Sequence, residues 1–277
     1  MRSTFSLAAA TAAAVLCAAN VAAAPIYGNS ASSGNNPLHT IDGTTGVEAS
    51  RFIGQPSGNG RGIVVVGDVM FYTVTGDSKI YEVNKNTGAP LGFIQTQNQS
   101  MSTIAFDGTF FYTADYSGTN KAFKIDPTTG NNVQTITLGM AQQFMDGLEF
   151  FNGKLISNRC DACGVYDVYD LSGNVLQAGF ITAPSSATGI AFDGTNFLVS
   201  NIFSSSIGVY NGSTGALIST INLSSNAGGF LIEDLSVDYS TRIDTNPNNP
   251  IPEPETYALM LAGLGMLGYM VRRRKQG

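Results

Sequence analysis

The stretch that decides the fold is Thr188–Leu223, "TGIAFDGTNFLVSNIFSSSIGVYNGSTGALISTINL". It divides into "TGIAFDG", "TNFLVSN", "SSIGVYN" and, after the turn "GSTG", "ALISTINL". Apolar and polar residues alternate within each piece, the period of a strand with one face buried. Asp193-Gly194, Asn211-Gly212 and Thr214-Gly215 stand between the pieces. Such pairs tolerate the positive φ that a tight reversal requires. The stretch therefore predicts four short antiparallel strands.

The pattern recurs along the chain. Thr-Gly or Ser-Gly turns place glycines at Gly46, Gly88, Gly130, Gly173 and Gly215, spaced by 42, 42, 43 and 42 residues. A second marker, the apolar residue opening each unit, falls at Ile63, Ile104, Leu148, Ile190 and Leu235, spaced by 41, 44, 42 and 45. Two independent markers with one period define a repeat, and four strands per repeat of about 42 residues predict an all-β, five-bladed β-propeller. The markers are offset. No opening strand precedes Gly46, and no turn follows Leu235. Joining the ends predicts a composite closing blade, with outer strands from residues 38–53 and an inner strand from 232–239. This joins the two ends of the chain and protects sheet edges.

The repeat also resembles the YVTN and NHL classes of propeller repeat. "FLVSN…SSIGVYNGSTGALISTINL" carries the likeness, with "FYTVT", "FYTAD" and "KLISN" at the equivalent strands. That resemblance implies an architecture rather than an activity.

Both ends of the sequence read as addresses. Met1–Ala23 has a basic Arg2, an alanine-rich apolar run and small residues at its end. This is the pattern of a Sec signal peptide cleaved after Ala23. At the other end, Thr256–Val271 carries no charge and precedes Arg272, Arg273, Arg274 and Lys275. A helix there spans about 24 Å, short of a hydrocarbon core of about 30 Å, and the basic stop favours the cytoplasmic side. "IPEPET", the apolar run and "RRRK" resemble the PEP-CTERM sorting signal of Gram-negative bacteria, with Pro252, Glu253 and Pro254 at the motif. The resemblance implies a partner exosortase acting at the Pro-Glu-Pro segment. It also implies transient anchorage in the inner membrane, then a place in the envelope or extracellular matrix beside exopolysaccharide or biofilm. The expected organisation is thus a signal peptide (1–23), a flexible segment (24–36) and a propeller (37–240). A linker (241–251) and the sorting signal (252–277), with its transmembrane helix at 256–271, follow.

Composition narrows the function classes. The chain has 14 Lys+Arg and 20 Asp+Glu; without head and tail, 9 and 18 remain, close to −9 for the body. Such a charge disfavours nucleic acid as a partner. The chain is 43% hydrophobic, which argues against disorder over the body.

The chemistry-bearing residues are few. Cys160 and Cys163 in "NRCDACGVY" fit a small-loop disulfide outside the cytoplasm, with redox and zinc roles as the other readings. The single histidine, His39, is expected at the surface of an outer strand. No serine lies in a Gly-x-Ser-x-Gly elbow. Two residues before each opening position stand Arg61, Ser102, Asp146, Thr188 and Glu233. Inner strands line a propeller's channel, so these positions could ring one mouth. Asp146, Glu233 and neighbouring Asp234 are weak candidates for a hard cation such as Ca²⁺; solvated strand ends are the plainer reading. No catalytic residue or cofactor is expected. The functional expectation is a non-enzymatic binding or structural module, with a metal-dependent lactonase-type hydrolase as the alternative.

Overall fold

The computed structural model describes residues 24–31, 35–115, 119–140, 145–159, 164–224 and 230–241. The expected signal peptide, the transmembrane helix at 256–271, the Pro252–Pro254 motif and the Cys160–Cys163 pair lie outside the described residues. Among the described residues no helix is long and apolar enough to cross a membrane.

The first three strands are β1 (Ile26–Ser30), β2 (Pro37–Ile41) and β3 (Glu48–Ile53). Blade 1 follows with β4 (Gly60–Val66), β5 (Val69–Val74), β6 (Lys79–Asn84) and β7 (Pro90–Gln95). Blade 2 holds β8 (Met101–Phe106), β9 (Phe111–Asp115), β10 (Lys121–Ile125) and β11 (Asn132–Thr137). Blade 3 holds β12 (Leu148–Phe151), β13 (Lys154–Arg159), β14 (Val165–Tyr169) and β15 (Val175–Thr182). Blade 4 holds β16 (Ala187–Phe192), β17 (Asn196–Asn201), β18 (Ser206–Asn211) and β19 (Leu217–Asn222), and β20 (Ile232–Ser236) comes last. Each blade is a four-stranded antiparallel sheet, and blade 5 has the order β20-β1-β2-β3. The five-bladed ring and its composite closing blade therefore form as the repeat offset predicts.

Burial follows strand position. Inner strand β16 is buried at Ala187–Ala191, whereas outer strand β19 leaves Leu217 and Ile218 more than half exposed. The five inner strands pack neighbour to neighbour around the axis. Apolar clusters fill the wedges between blades: Tyr112 with Leu148 and Leu155 at blades 2 and 3, Ile156 with Ile190 and Phe197 at blades 3 and 4.

The repeat's turn marker has a mechanical reason. In the turn before β11, Gly130 has φ +71°, and a Cβ there would lie 1.8 Å from the Gln95 carbonyl oxygen of blade 1. Gly215 meets the Phe180 carbonyl of blade 3 in the same way. These turns butt against the outer strand of the preceding blade, so the position needs both the left-handed backbone and the missing side chain. An Asx cap sets each turn. Asn84 Oδ1, for instance, accepts the Asn86 and Thr87 N–H groups, each at 3.0 Å.

One expectation is corrected. Residues 24–36 were expected to be flexible, yet Ile26–Ser30 form β1, buried at every position between β20 and β2. "IYGNS" hides this because its buried side-chain donors find partners within the protein instead of in solvent. Asn29 Nδ2 donates to the carbonyls of Gly62 (3.0 Å) and Thr73 (3.1 Å), tying blade 5 to blade 1. Such partners offset the cost of burying an amide.

Candidate functional site

The starts of the inner strands converge at one mouth of the channel. Arg61 on β4 donates from Nη1 to Glu233 Oε1 of β20 at 2.6 Å. The same nitrogen lies 3.8 Å from Asp146 Oδ1, just ahead of β12. Three of the five ring positions thus form one charged cluster. The other two turn away. Ser102 donates to the Met145 and Ala114 carbonyls, and Thr188 Oγ1 lies 3.1 Å from Ser200 Oγ.

The cluster is largely dehydrated: Arg61, Asp146 and Glu233 side chains are 12%, 10% and 3% exposed. Burial pushes the Asp146 carboxyl up to about 7, reinforced by the nearby Glu233 and opposed by Arg61. The ion pair would pull in the other direction. At 3.8 Å it is too long for a hydrogen bond, and Asp146 Oδ1 has no hydrogen-bond partner, so dehydration dominates. Glu233 is also raised by burial, against the direct Arg61 bond. The arrangement can hold or release one proton near neutrality at Asp146.

The cation reading of Asp146, Glu233 and Asp234 meets a different geometry. Arg61 supplies the positive charge between Asp146 and Glu233. Asp234, one residue further in, is fully buried on the axis and turned to other donors. Its carboxylate accepts Thr103 Oγ1 at 2.9 Å and the N–H groups of Leu235 (2.9 Å) and Ile63 (3.3 Å). Burial raises its pKa well above the ordinary carboxylate value, with these donors opposing. At the equivalent position blades 1, 3 and 4 carry Gly62, Gly147 and Gly189, and a Cβ on Gly189 would lie 2.3 Å from Asp234 Cα. Gly189 makes room for Asp234, whereas a Cβ on Gly62 or Gly147 would strike the neighbouring inner strand at Ile104 N (2.6 Å) or Thr188 O (2.2 Å). Among the described residues, no group of three or more His, Cys, Asp or Glu side chains is placed to hold a metal ion.

A second cluster was missed in the sequence. His39 is not at the surface; it is 1% exposed on β2, inside blade 5. Its Nε2 lies 2.7 Å from Ser30 Oγ, and its Nδ1 lies 2.7 Å from Glu48 Oε1. Arg51 Nε donates to the same Glu48 oxygen at 2.7 Å, and the Phe230 ring covers the imidazole with centroids 5.0 Å apart. Burial pulls the His39 pKa down to about 4, against the Glu48 bond. A neutral ring with Nδ1–H pointing at Glu48 leaves Nε2 to accept the Ser30 hydroxyl. The order hydroxyl–imidazole–carboxylate resembles a nucleophilic relay, but the Ser30 residue is only 3% exposed. The neighbouring Ala31 N–H is already donated to the Leu231 carbonyl. The relay ties β1, β2 and β3 together. The spacing Ser30–His39–Glu48 carries no motif, which is why sequence reading passed over it.

Comparison with known proteins adds the following. Residues 250–275 match the PEP-CTERM protein-sorting motif. A tetrathionate hydrolase of Acidithiobacillus ferrooxidans is 25% identical over 189 residues, 63% of this chain and 35% of that protein. The chain therefore spans about a third of the length of that curated relative. Among solved structures, a chain of a Nidogen/Laminin complex superposes with a TM-score of 0.55 at 12% identity, covering 78% of this chain and 99% of that one. A glutaminyl cyclase of Myxococcus xanthus gives 0.48 at 14% identity, over 70% and 77% of the two chains. The first of these likenesses shows the fold. The chain is a five-bladed β-propeller that carries, at residues 250–275, a PEP-CTERM motif, which implies an exported protein whose membrane-anchoring tail is processed by an exosortase.

Proposed function

We propose that the protein is a non-enzymatic binding or structural propeller of the cell envelope or extracellular matrix, associated with extracellular polysaccharide. It leaves the cytoplasm through Sec, is held in the inner membrane of a Gram-negative cell by residues 256–271, and is processed at Pro252–Pro254. One observation carries the non-enzymatic reading. The charged side chains of the channel mouth face one another, with Arg61 bonded to Glu233 and 3.8 Å from Asp146. The sorting motif supports the location, since a PEP-CTERM resemblance implies company with exopolysaccharide.

A hydrolase of the lactonase type is the second reading. Asp146, with its carboxyl pushed up to about 7 and an unpartnered oxygen, favours it as a proton carrier. The likeness to a tetrathionate hydrolase adds tetrathionate to the substrates worth testing.

The test incubates the full-length chain with purified matrix polysaccharide, and separately with lactones and tetrathionate. Retention without turnover is the expected result. Hydrolysis that disappears on chelation or in Asp146→Ala would overturn the proposal in favour of the enzyme.

A further inference from the structure

A cleft of about 520 Å³ opens between blades 2 and 3, lined in part by Phe110, Lys124, Phe150, Thr109 and Asn152. Its volume falls in the usual range for small-ligand sites, about 300–1,000 Å³. It lies at the turns β8–β9 and β12–β13, whereas the Arg61 cluster stands at the starts of the inner strands.

The internal repeat shows which of these residues the fold does not require. Pairing registers make Phe150 equivalent to Val65, Phe106 and Phe192 of blades 1, 2 and 4. Phe110 stands where blades 1, 3 and 4 have Val69, Lys154 and Asn196. Lys124 takes the place of Glu82, Val168 and Val209. Two departures from the repeat, the aromatic Phe110 and the cationic Lys124, thus meet in one cleft beside Phe150, whose place is also aromatic in blades 2 and 4. The same sheet forms without them in the other blades.

The rings are fixed in place. Phe150 stacks on Tyr112 with centroids 5.7 Å apart and 18° between planes. Lys124 Nζ lies 4.2 Å from the Phe110 centroid and 3.3 Å from Asp107 Oδ2. Asp107 is fully used: Oδ1 accepts the Thr109 and Phe110 N–H groups, and Oδ2 accepts Tyr112 OH at 2.8 Å. The exposed Thr109 hydroxyl and Asn152 amide make no hydrogen bond within the described residues, which leaves them for a ligand.

We propose that this cleft binds a neutral hexose unit of a polysaccharide chain. The reading rests on the binding-module function above and names its site. A pyranose ring has an apolar C–H face for the half-buried Phe110 and Phe150 rings, and equatorial hydroxyls for Thr109, Asn152 and the remaining Lys124 N–H groups. The Lys124–Asp107 pair cancels its own charge, which suits an uncharged sugar better than an acidic one.

The test is affinity electrophoresis of the full-length chain through gels containing dextran, pullulan, hydroxyethylcellulose, galactomannan or gelatin. The double variant Phe110→Asn, Phe150→Val installs residues that blades 4 and 1 already carry, so the fold should tolerate it; an unchanged Tm checks this. Phe93→Ser is the control, because Phe93 is an exposed ring with Lys79 Nζ at 4.6 Å, away from the cleft. At least one neutral glycan should retard the chain, with a tenfold or greater loss of affinity in the double variant and none in the control. Equal retardation of wild type and double variant would overturn the cleft while leaving the binding-module reading in place. Retardation by gelatin alone would assign the cleft to a protein partner, and no retardation in any gel would also overturn it. Failure to bind whole matrix polysaccharide, measured separately, would remove the broader reading as well.

Discussion

Buried titratable side chains carry the residue-scale consequences. His39 titrates near 6.5 when unfolded and near 4 in the fold, so the unfolded chain binds the extra proton between those values. Its contribution to stability is fully present above about pH 6.5 and is lost as pH falls towards 4. The loss is on the order of 3 kcal/mol at about 1.4 kcal/mol per pKa unit. His39→Gln, which stays neutral, should flatten that part of the pH profile in urea unfolding; an unchanged slope would show that His39 is not its source. Asp146 works in the opposite sense. Its carboxyl is raised from 3.8 to about 7, so stability is fully present below pH 4 and falls as pH rises through 7. Asp146→Asn should therefore gain on the order of 4 kcal/mol over wild type at pH 8 and little at pH 4. A variant equally stable relative to wild type at both pH values would mean that Asp146 is already ionised at neutrality.

At the element scale, the Thr-Gly turns are interlocks between blades. Gly130 and Gly76 both have positive φ, +71° and +78°, yet only Gly130 has a neighbouring carbonyl within reach of a Cβ. Gly76→Ala should cost about 1 kcal/mol, the backbone strain alone. Gly130→Ala adds a clash with Gln95 and should cost at least about 2 kcal/mol more. Equal midpoints in chemical denaturation would show that the turn does not bear on blade 1. The sequence displayed these glycines through their period. Their contact partners in the preceding blade became visible only when the blades were set side by side.

For the whole molecule, closure depends on β1–β3 joining β20 across the full length of the described propeller. Deleting residues 26–53 should strand β20 and expose blades 4 and 1, producing aggregation in light scattering where the intact chain stays dispersed. Sorting gives a second expectation at this scale. The intact mass of the surface-released protein should lack Arg272–Gly277, and their retention would count against exosortase processing.

The sequence by itself determined the blade number, the composite closure and the address at the C-terminus. Each is written in local spacing: turns near every forty-two residues, an offset of markers, a Pro-Glu-Pro before an apolar run. Strand β1 escaped notice because "IYGNS" has no alternation, and its polar side chains find partners only in β2 and blade 1. The ring of Arg61, Asp146 and Glu233 was legible as equivalent positions, because inner strands begin at one mouth. That Arg61 would bridge the acids, Asp234 fill the axis and His39 lie buried between Ser30 and Glu48 was decided by tertiary structure. A side chain's charge state and partners depend on what surrounds it in three dimensions, and closing the ring brings together residues as far apart as Arg61 and Glu233.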